Sequence, residues 1–154
     1  MGVYHYATIC TNGHIVNESA YKYTPFCQTC GKETVSNCQK CETDIRGAYS
    51  TEYGYETDYR APSYCFNCGE AFPWTKMLLN NAIELIALDD QLPNDIKEII
   101  KNALPDLIIE TPSTPLATAK YKKFIPSAAK YVQDGLKNLL VDVASETVKK
   151  ALWG

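Results

Sequence analysis

Residues 27–41 read CQTCGKETVSNCQKC, two Cys-x-x-Cys pairs (Cys27/Cys30 and Cys38/Cys41) separated by seven residues. Downstream, Tyr64 to Thr75 read YCFNCGEAFPWT and supply a third pair, Cys65/Cys68. Upstream, CTNGH places Cys10 four residues before His14. Seven cysteines are an odd number, but counting His14 gives eight donors in four half-sites. Eight donors suffice for two four-coordinate ions. Thiolate and imidazole at this spacing suit tetrahedral zinc, because one turn of backbone can present both members of a half-site to the same ion. The glycines after Cys30 and Cys68 allow the positive φ that such a knuckle adopts, and Asn12-Gly13 gives the Cys10/His14 turn comparable freedom.

Other readings of the cysteines fit less well. One pair alone would pass as buried free thiols, whereas four half-sites would not. A redox pair belongs in a βαβ setting, and nothing around these pairs alternates that way. His5 has no donor at ligand spacing and reads as a solvated or packed side chain.

The half-sites can pair in three ways. Nested pairing joins Cys27, Cys30, Cys38 and Cys41 around the hairpin GKETVSN, and leaves Cys10, His14, Cys65 and Cys68 for the second ion. Interleaved pairing follows the cross-brace scheme, and sequential pairing joins neighbours in order. Short loops close at lower entropic cost, and seven residues suit a β-hairpin. CxxCG, a short hairpin and CxxC also form the zinc-ribbon pattern. Nested pairing is the expectation, with interleaved second. Either way both ions are enclosed by protein donors, which marks structural metals that replace a core a chain of ~75 residues could hardly build.

The 154 residues carry a net charge of −3, unevenly placed. Residues 1–119 hold 8 Lys/Arg against 15 Asp/Glu (−7), and residues 120–154 hold 7 Lys against 3 acids (+4). An acidic body disfavours nucleic acid, which needs clustered positive charge. No run has signal-peptide character, Tyr6 breaks the myristoylation pattern, and no stretch reaches the ~20 apolar residues of a membrane span. A cytoplasmic protein is expected, in a compartment where a disulfide set would not persist.

The periodicity predicts an α+β chain. Residues 1–75 form a two-zinc ribbon of short strands (YHYATI, HIVN, GAYSTEYGYETDY) and knuckles. Residues 76–111 form a helical hairpin, and residues 112–154 a linker with amphipathic helices. Nine of the 11 tyrosines lie in the first segment. Tyr53, Tyr55 and Tyr59 are mostly spaced for one strand face, and packing around a small core is preferred to a binding surface. Pro73 fits a first helical turn, with Thr75 as its cap. Met77, Leu78, Leu79, Ala82, Ile83, Leu85, Ile86 and Leu88 surround that helix and predict central burial. Phe72 and Trp74 are expected at the seam between ribbon and helix. A second helix spans about Asn94 to Leu104 and ends at Pro105. Thr114 and Pro115 start a short helix carrying AKYKK. One last helix aligns Val132, Leu136, Leu139, Leu140, Val143, Thr147 and Ala151. Docking of this stripe on the hairpin is preferred, followed by self-association and then by a membrane interface.

CTNGH, FCQTCG, CQKC, IRGAY, PSYCFNCGEAFPWT and LPDLIIETPSTPLATAKYKK together resemble an uncharacterised family of small bacterial zinc-ribbon proteins. The resemblance covers most of the chain, and PSYC-x-NCG-x-x-x-PWT is its most specific part. It implies a bacterial protein with a zinc-binding N-terminal region and a helical C-terminal region. It implies no activity.

The functional expectation is a non-catalytic adaptor that meets a protein partner or a second copy through its helices. A nucleic-acid-binding ribbon regulator using AKYKK is the first alternative. A membrane-peripheral or self-associating protein using the last helix is the second. No nucleophile–base pair, phosphate loop or small-molecule substrate site is evident, so an enzyme ranks last.

Overall fold

The computed structural model describes residues 1–19 and 24–154, so Tyr21 and Tyr23 of the tyrosine-rich segment lie outside the described residues. The chain is α+β and divides into two compact units, Met1–Met77 and Leu78–Gly154.

The first unit holds two small antiparallel sheets. Strands β1 (Val3–Tyr6) and β2 (Thr8–Cys10) are separated only by Ala7, so one ribbon of chain serves both sheets. In the first sheet β1 pairs with β5 (Arg46–Thr51), with Tyr4 opposite Tyr49, and β5 pairs with β6 (Gly54–Tyr55). In the second sheet β2 is central, between β3 (Ile15–Asn17) and β4 (Thr34–Val35). Ala7 and Ile9 are buried with Ile45, Phe72, Cys38 and Cys65, and Val35, Tyr59 and Trp74 pack around them. This core is very small, and cysteine sulfur forms part of it. Phe72 and Trp74 stack at 4.9 Å, and the Trp74 indole N–H donates to the Pro62 carbonyl at 2.9 Å.

The three tyrosines expected on one strand face do not share one. Tyr53 sits in the turn between β5 and β6 and is 92% exposed. Tyr59 lies past β6, its hydroxyl bonded to the Arg46 carbonyl at 2.5 Å. The hairpin reversal, absent from any periodicity count, separates them.

The second unit is helical. α1 (Pro73–Leu88) begins in the first unit, and α2 (Asn94–Ala103), α3 (Pro105–Ile108), α4 (Thr114–Phe124), α5 (Lys130–Leu140) and α6 (Glu146–Trp153) follow. One core unites α1 residues Ala82 and Ile86, α2 and α3 residues Ile100 and Leu107, and α5 and α6 residues Leu136 and Val148. α1 starts at Pro73, so Thr75 is a buried helical residue instead of the cap. Its apolar residues are not all enclosed either: Met77 and Leu88 are exposed.

The expected single last helix is two. α5 ends at Leu140, and Ser145 caps α6, its hydroxyl accepting the Val148 N–H at 3.2 Å. The break changes the register of the stripe. Val132, Leu136 and Leu140 are buried as expected, but on α6 the core residue is Val148, while Val143 is 38% exposed and Thr147 lies on the surface. The buried stripe of α5 therefore docks in cis, in the core of its own unit. Among the described residues no helix is long and apolar enough to cross a membrane.

Candidate metal centres

Each Cys-x-x-Cys segment is the same small loop built three times. The residue before the first cysteine bridges to the third residue after the second: Phe26 to Glu33, Asn37 to Asp44, and Tyr64 to Ala71. Within each loop the backbone closes twice. Cys27 N–H donates to the Lys32 carbonyl at 2.7 Å and Gly31 N–H to the Cys27 carbonyl at 2.8 Å. Equivalent pairs tie Cys38 to Thr43 and Glu42, and Cys65 to Glu70 and Gly69. The residue after the second cysteine has positive φ in every case, at Gly31 (77°), Glu42 (63°) and Gly69 (78°). Sequence pattern marks the two glycines but not Glu42, which adopts a left-handed conformation at a steric cost. The fourth half-site is a tighter turn. Cys10 N–H donates to the His14 carbonyl, and Gly13 sits at φ 95° with Trp74 Cβ 3.1 Å from where a Cβ would lie.

All eight sequence-derived donors come together in two groups of four. Cys10, His14, Cys27 and Cys30 form one, and Cys38, Cys41, Cys65 and Cys68 the other, with the donor atoms of each group within 4.8 Å of one another. This is the sequential pairing. It overturns the nested expectation, in which Cys27/Cys30 would join Cys38/Cys41 and Cys10/His14 would join Cys65/Cys68. The physical reason lies in β4. Thr34 and Val35 do not turn back as a hairpin of their own; they pair with β2, Cys10 opposite Thr34 and Ile9 opposite Val35. That register sets the first knuckle beside the Cys10/His14 turn. Loop-closure cost rises by only about 0.6 kcal/mol per doubling of length, so the short linker does little to oppose this strand pairing.

In the first group Cys10 Sγ lies 3.5 Å from His14 Nδ1 and 3.7 Å from Cys30 Sγ, and Cys27 Sγ lies 3.8 Å from His14 Nδ1. In the second, Cys38 and Cys68 sulfurs are 3.7 Å apart, and those of Cys41 and Cys65 3.6 Å. Three polar side chains complete the surroundings. Asn12 Nδ2 donates to Cys30 Sγ at 3.4 Å, Asn67 Nδ2 to Cys41 Sγ at 3.6 Å, and Thr43 Oγ1 lies 3.2 Å from Cys41 Sγ. Cys10, Cys27, Cys38 and Cys65 are buried, whereas His14 and Cys30 face solvent. His5 belongs to neither group: its Nε2 lies 2.6 Å from Ser50 Oγ and its ring packs on Tyr55.

The electrostatics show what such crowding does. The Lys32 N–H lowers the Cys30 thiol, and despite partial desolvation the Asn12 amide and His14 help bring it to about 6. The Thr43 hydroxyl and N–H, with the Asn67 amide, bring Cys41 to about 6 as well. Cys68 also receives an N–H, from Glu70, yet burial and its three thiol neighbours push it up to about 12. Burial raises Cys10. Crowded thiols cannot all ionise together, so some are held protonated at the expense of others. A bound cation removes that conflict, and each group can hold a metal ion.

No curated protein matches this chain, and no solved structure does. The family described as "Uncharacterized protein conserved in bacteria (DUF2321)" matches residues 3–152. With nearly the whole chain matched and both cysteine-rich groups assembled within it, the protein belongs to that bacterial family.

Proposed function

We propose that this chain is a non-catalytic protein-interaction module of the bacterial cytoplasm, stabilised by two zinc ions. One ion is held by Cys10, His14, Cys27 and Cys30, the other by Cys38, Cys41, Cys65 and Cys68. The observation that carries this reading is the spacing of the donors. Zn–S bonds of about 2.3 Å in a tetrahedron set sulfurs about 3.8 Å apart, and a Zn–N bond of about 2.0–2.1 Å sets nitrogen about 3.5–3.6 Å from sulfur. The five separations given above run from 3.5 to 3.8 Å, and all donor atoms of each group lie within 4.8 Å of one another. Four protein donors keep no coordination position for water, which supports a structural role.

An aromatic face supports the interaction reading. Tyr4 and Tyr49 pack with centroids 4.9 Å apart, and the Arg46 guanidinium lies 4.5 Å from the Tyr4 ring centre and 3.9 Å from that of Phe66. All four side chains are exposed. Tyrosine and arginine are enriched at interface hot spots, and tyrosine supplies a large contact area at low entropic cost. A ladder of rings and arginine also suits stacked bases, but the −7 charge of residues 1–119 opposes a phosphate backbone.

Two measurements test the reading. Native mass spectrometry of protein purified without added metal should give two zinc ions per folded chain. One or none, with all cysteines reduced, overturns the two-site reading. A partner captured by the wild type and lost with Tyr4→Ala/Phe66→Ala supports the interaction face. Equal capture by both, or salt-sensitive binding of single-stranded nucleic acid by the wild type, overturns it.

A further inference from the structure

The helical unit contains a cavity of about 360 Å³ where α4, the turn Ile125–Ser127, α5 and α6 meet. This lies in the size range of small-molecule sites. Its floor is apolar and partly aromatic, made by Tyr121, Ile125, Pro126, Leu152 and Trp153. Tyr121 and Trp153 meet edge to face with centroids 6.1 Å apart.

Two features of this cavity point to a ligand. The first is charge. Lys122, Lys130 and Lys137 line it against a single carboxylate, Asp134. Lys130 engages that carboxylate at 2.7 Å, and Lys122 and Lys137 have no carboxylate partner among the described residues. The lining therefore carries an uncompensated positive charge beside an apolar floor. The second is a missing partner. Tyr121 is only 5% exposed, and its hydroxyl has no hydrogen-bond partner among the described residues. A buried hydroxyl without a partner is costly, so native structures rarely keep one. Tyr121 is one of the residues that line the cavity, and its hydroxyl oxygen is itself buried.

We infer that this cavity binds a small organic carboxylate with an apolar body. The apolar part lies on the floor of Tyr121, Pro126 and Trp153. The carboxylate meets Lys122 and Lys137 and accepts the Tyr121 hydroxyl. The site stands apart from the metal reading, since every lining residue belongs to the second unit. A chain with two zinc ions and no ligand, or with ligand and no zinc, would separate the two.

The test is two-dimensional NMR of the full-length chain titrated with sodium benzoate and sodium octanoate, their neutral counterparts benzyl alcohol and octanol, and inorganic phosphate. At least one carboxylate should give saturable shifts at the Trp153 indole and at Tyr121 and Lys137. Its alcohol should bind at least tenfold more weakly, and phosphate should not saturate. The stronger of the two carboxylates tells an aromatic ligand from an aliphatic one. Lys122→Glu/Lys137→Glu should weaken binding at least tenfold. Tyr121→Phe should weaken it at least threefold while Tm stays equal or rises, which a purely structural tyrosine would not do. The proposal is overturned if neither carboxylate shifts these residues, if the alcohols bind as tightly, if phosphate alone saturates, or if Tyr121→Phe binds like the wild type.

Discussion

The carboxylate of Asp89, just past α1, accepts the backbone N–H of Ala129, just before α5, at 2.7 Å. Its other oxygen accepts the N–H groups of Leu92 at 2.7 Å and Gln91 at 3.0 Å. Lys97 donates to the Asp89 carbonyl, and the Tyr131 hydroxyl donates to Leu88. A residue only 2% exposed thus ties the end of α1, the start of α2 and the start of α5.

Removing this tie should loosen the helical unit selectively. Burial alone would push the Asp89 carboxyl up, but the three N–H donors and nearby Lys97 outweigh it and hold the group below its usual range. The folded value lies below the unfolded one. The charge therefore stabilises above the unfolded carboxylate range, and that contribution is lost as pH falls through the folded value. Asp89→Asn should cost about 1–3 kcal/mol at neutral pH, from strained or unmade bonds to buried N–H groups. Urea melts at pH 7 and pH 3 should show the gap between variant and wild type narrowing at the lower pH. A constant gap would remove the charge from the explanation.

Cobalt substitution discriminates the pairings, because each one contains a four-thiolate site and a three-thiolate–imidazole site. Cys27→Ser should abolish the site that contains His14 and leave the Co(II) spectrum of four thiolates. Under nested pairing it would leave the spectrum of three thiolates and one imidazole. Cys38→Ser should do the reverse of Cys27→Ser. The exposed His14 and Cys30 also predict that a chelator strips the first ion before the second.

Glu42 occupies the positive-φ position that glycine fills in the other two knuckles. Glu42→Gly should raise stability by up to about 1 kcal/mol, relief of the left-handed penalty being partly offset by the entropy of glycine in the unfolded chain. Gly69→Ala, with no atom within 4 Å of the added Cβ, should lower stability by about as much through backbone strain alone. Thermal melts of the zinc-loaded proteins would show both. A destabilised Glu42→Gly would mean that the Glu42 side chain matters more than its backbone.

The break between α5 and α6 has a direct signature. Val143→Asp should change stability by less than about 0.5 kcal/mol, as exposed positions do. Val148→Asp should expose the core, bind hydrophobic dye and aggregate, because it would bury an unpaired charge. An unbroken helix with the stripe read from its periodicity would make Val143 the damaging site. Leu136→Ala should cost about 2–5 kcal/mol under either geometry.

Local chemistry was the legible part of this chain. Eight donors announced themselves by spacing, since a half-site is fixed by its own turn. Their grouping was not legible, because it depends on β4 pairing with β2, a choice that Thr34 and Val35 do not advertise. The stripe up to Leu140 was visible because 3.6-residue periodicity holds within a helix. It failed at Val143, where a few residues and the Ser145 cap reset the register. Nothing in the sequence singles out Asp89. Its partner at Ala129 is a backbone N–H, which no residue type can signal.

The sequential grouping also has a consequence for synthesis. The chain leaves the ribosome from its N-terminus, and the donors of the first ion are complete once residue 30 has emerged, while those of the second await residue 68. The two loadings follow one another in time, and the earlier one presents few competing thiols from the later site. Nested grouping would instead leave Cys10 and His14 waiting until residue 68, with Cys27 and Cys30 unmatched beside them until residue 41 has emerged. Order along the chain thus becomes order in time, and it lowers the chance that an ion is captured by the wrong four.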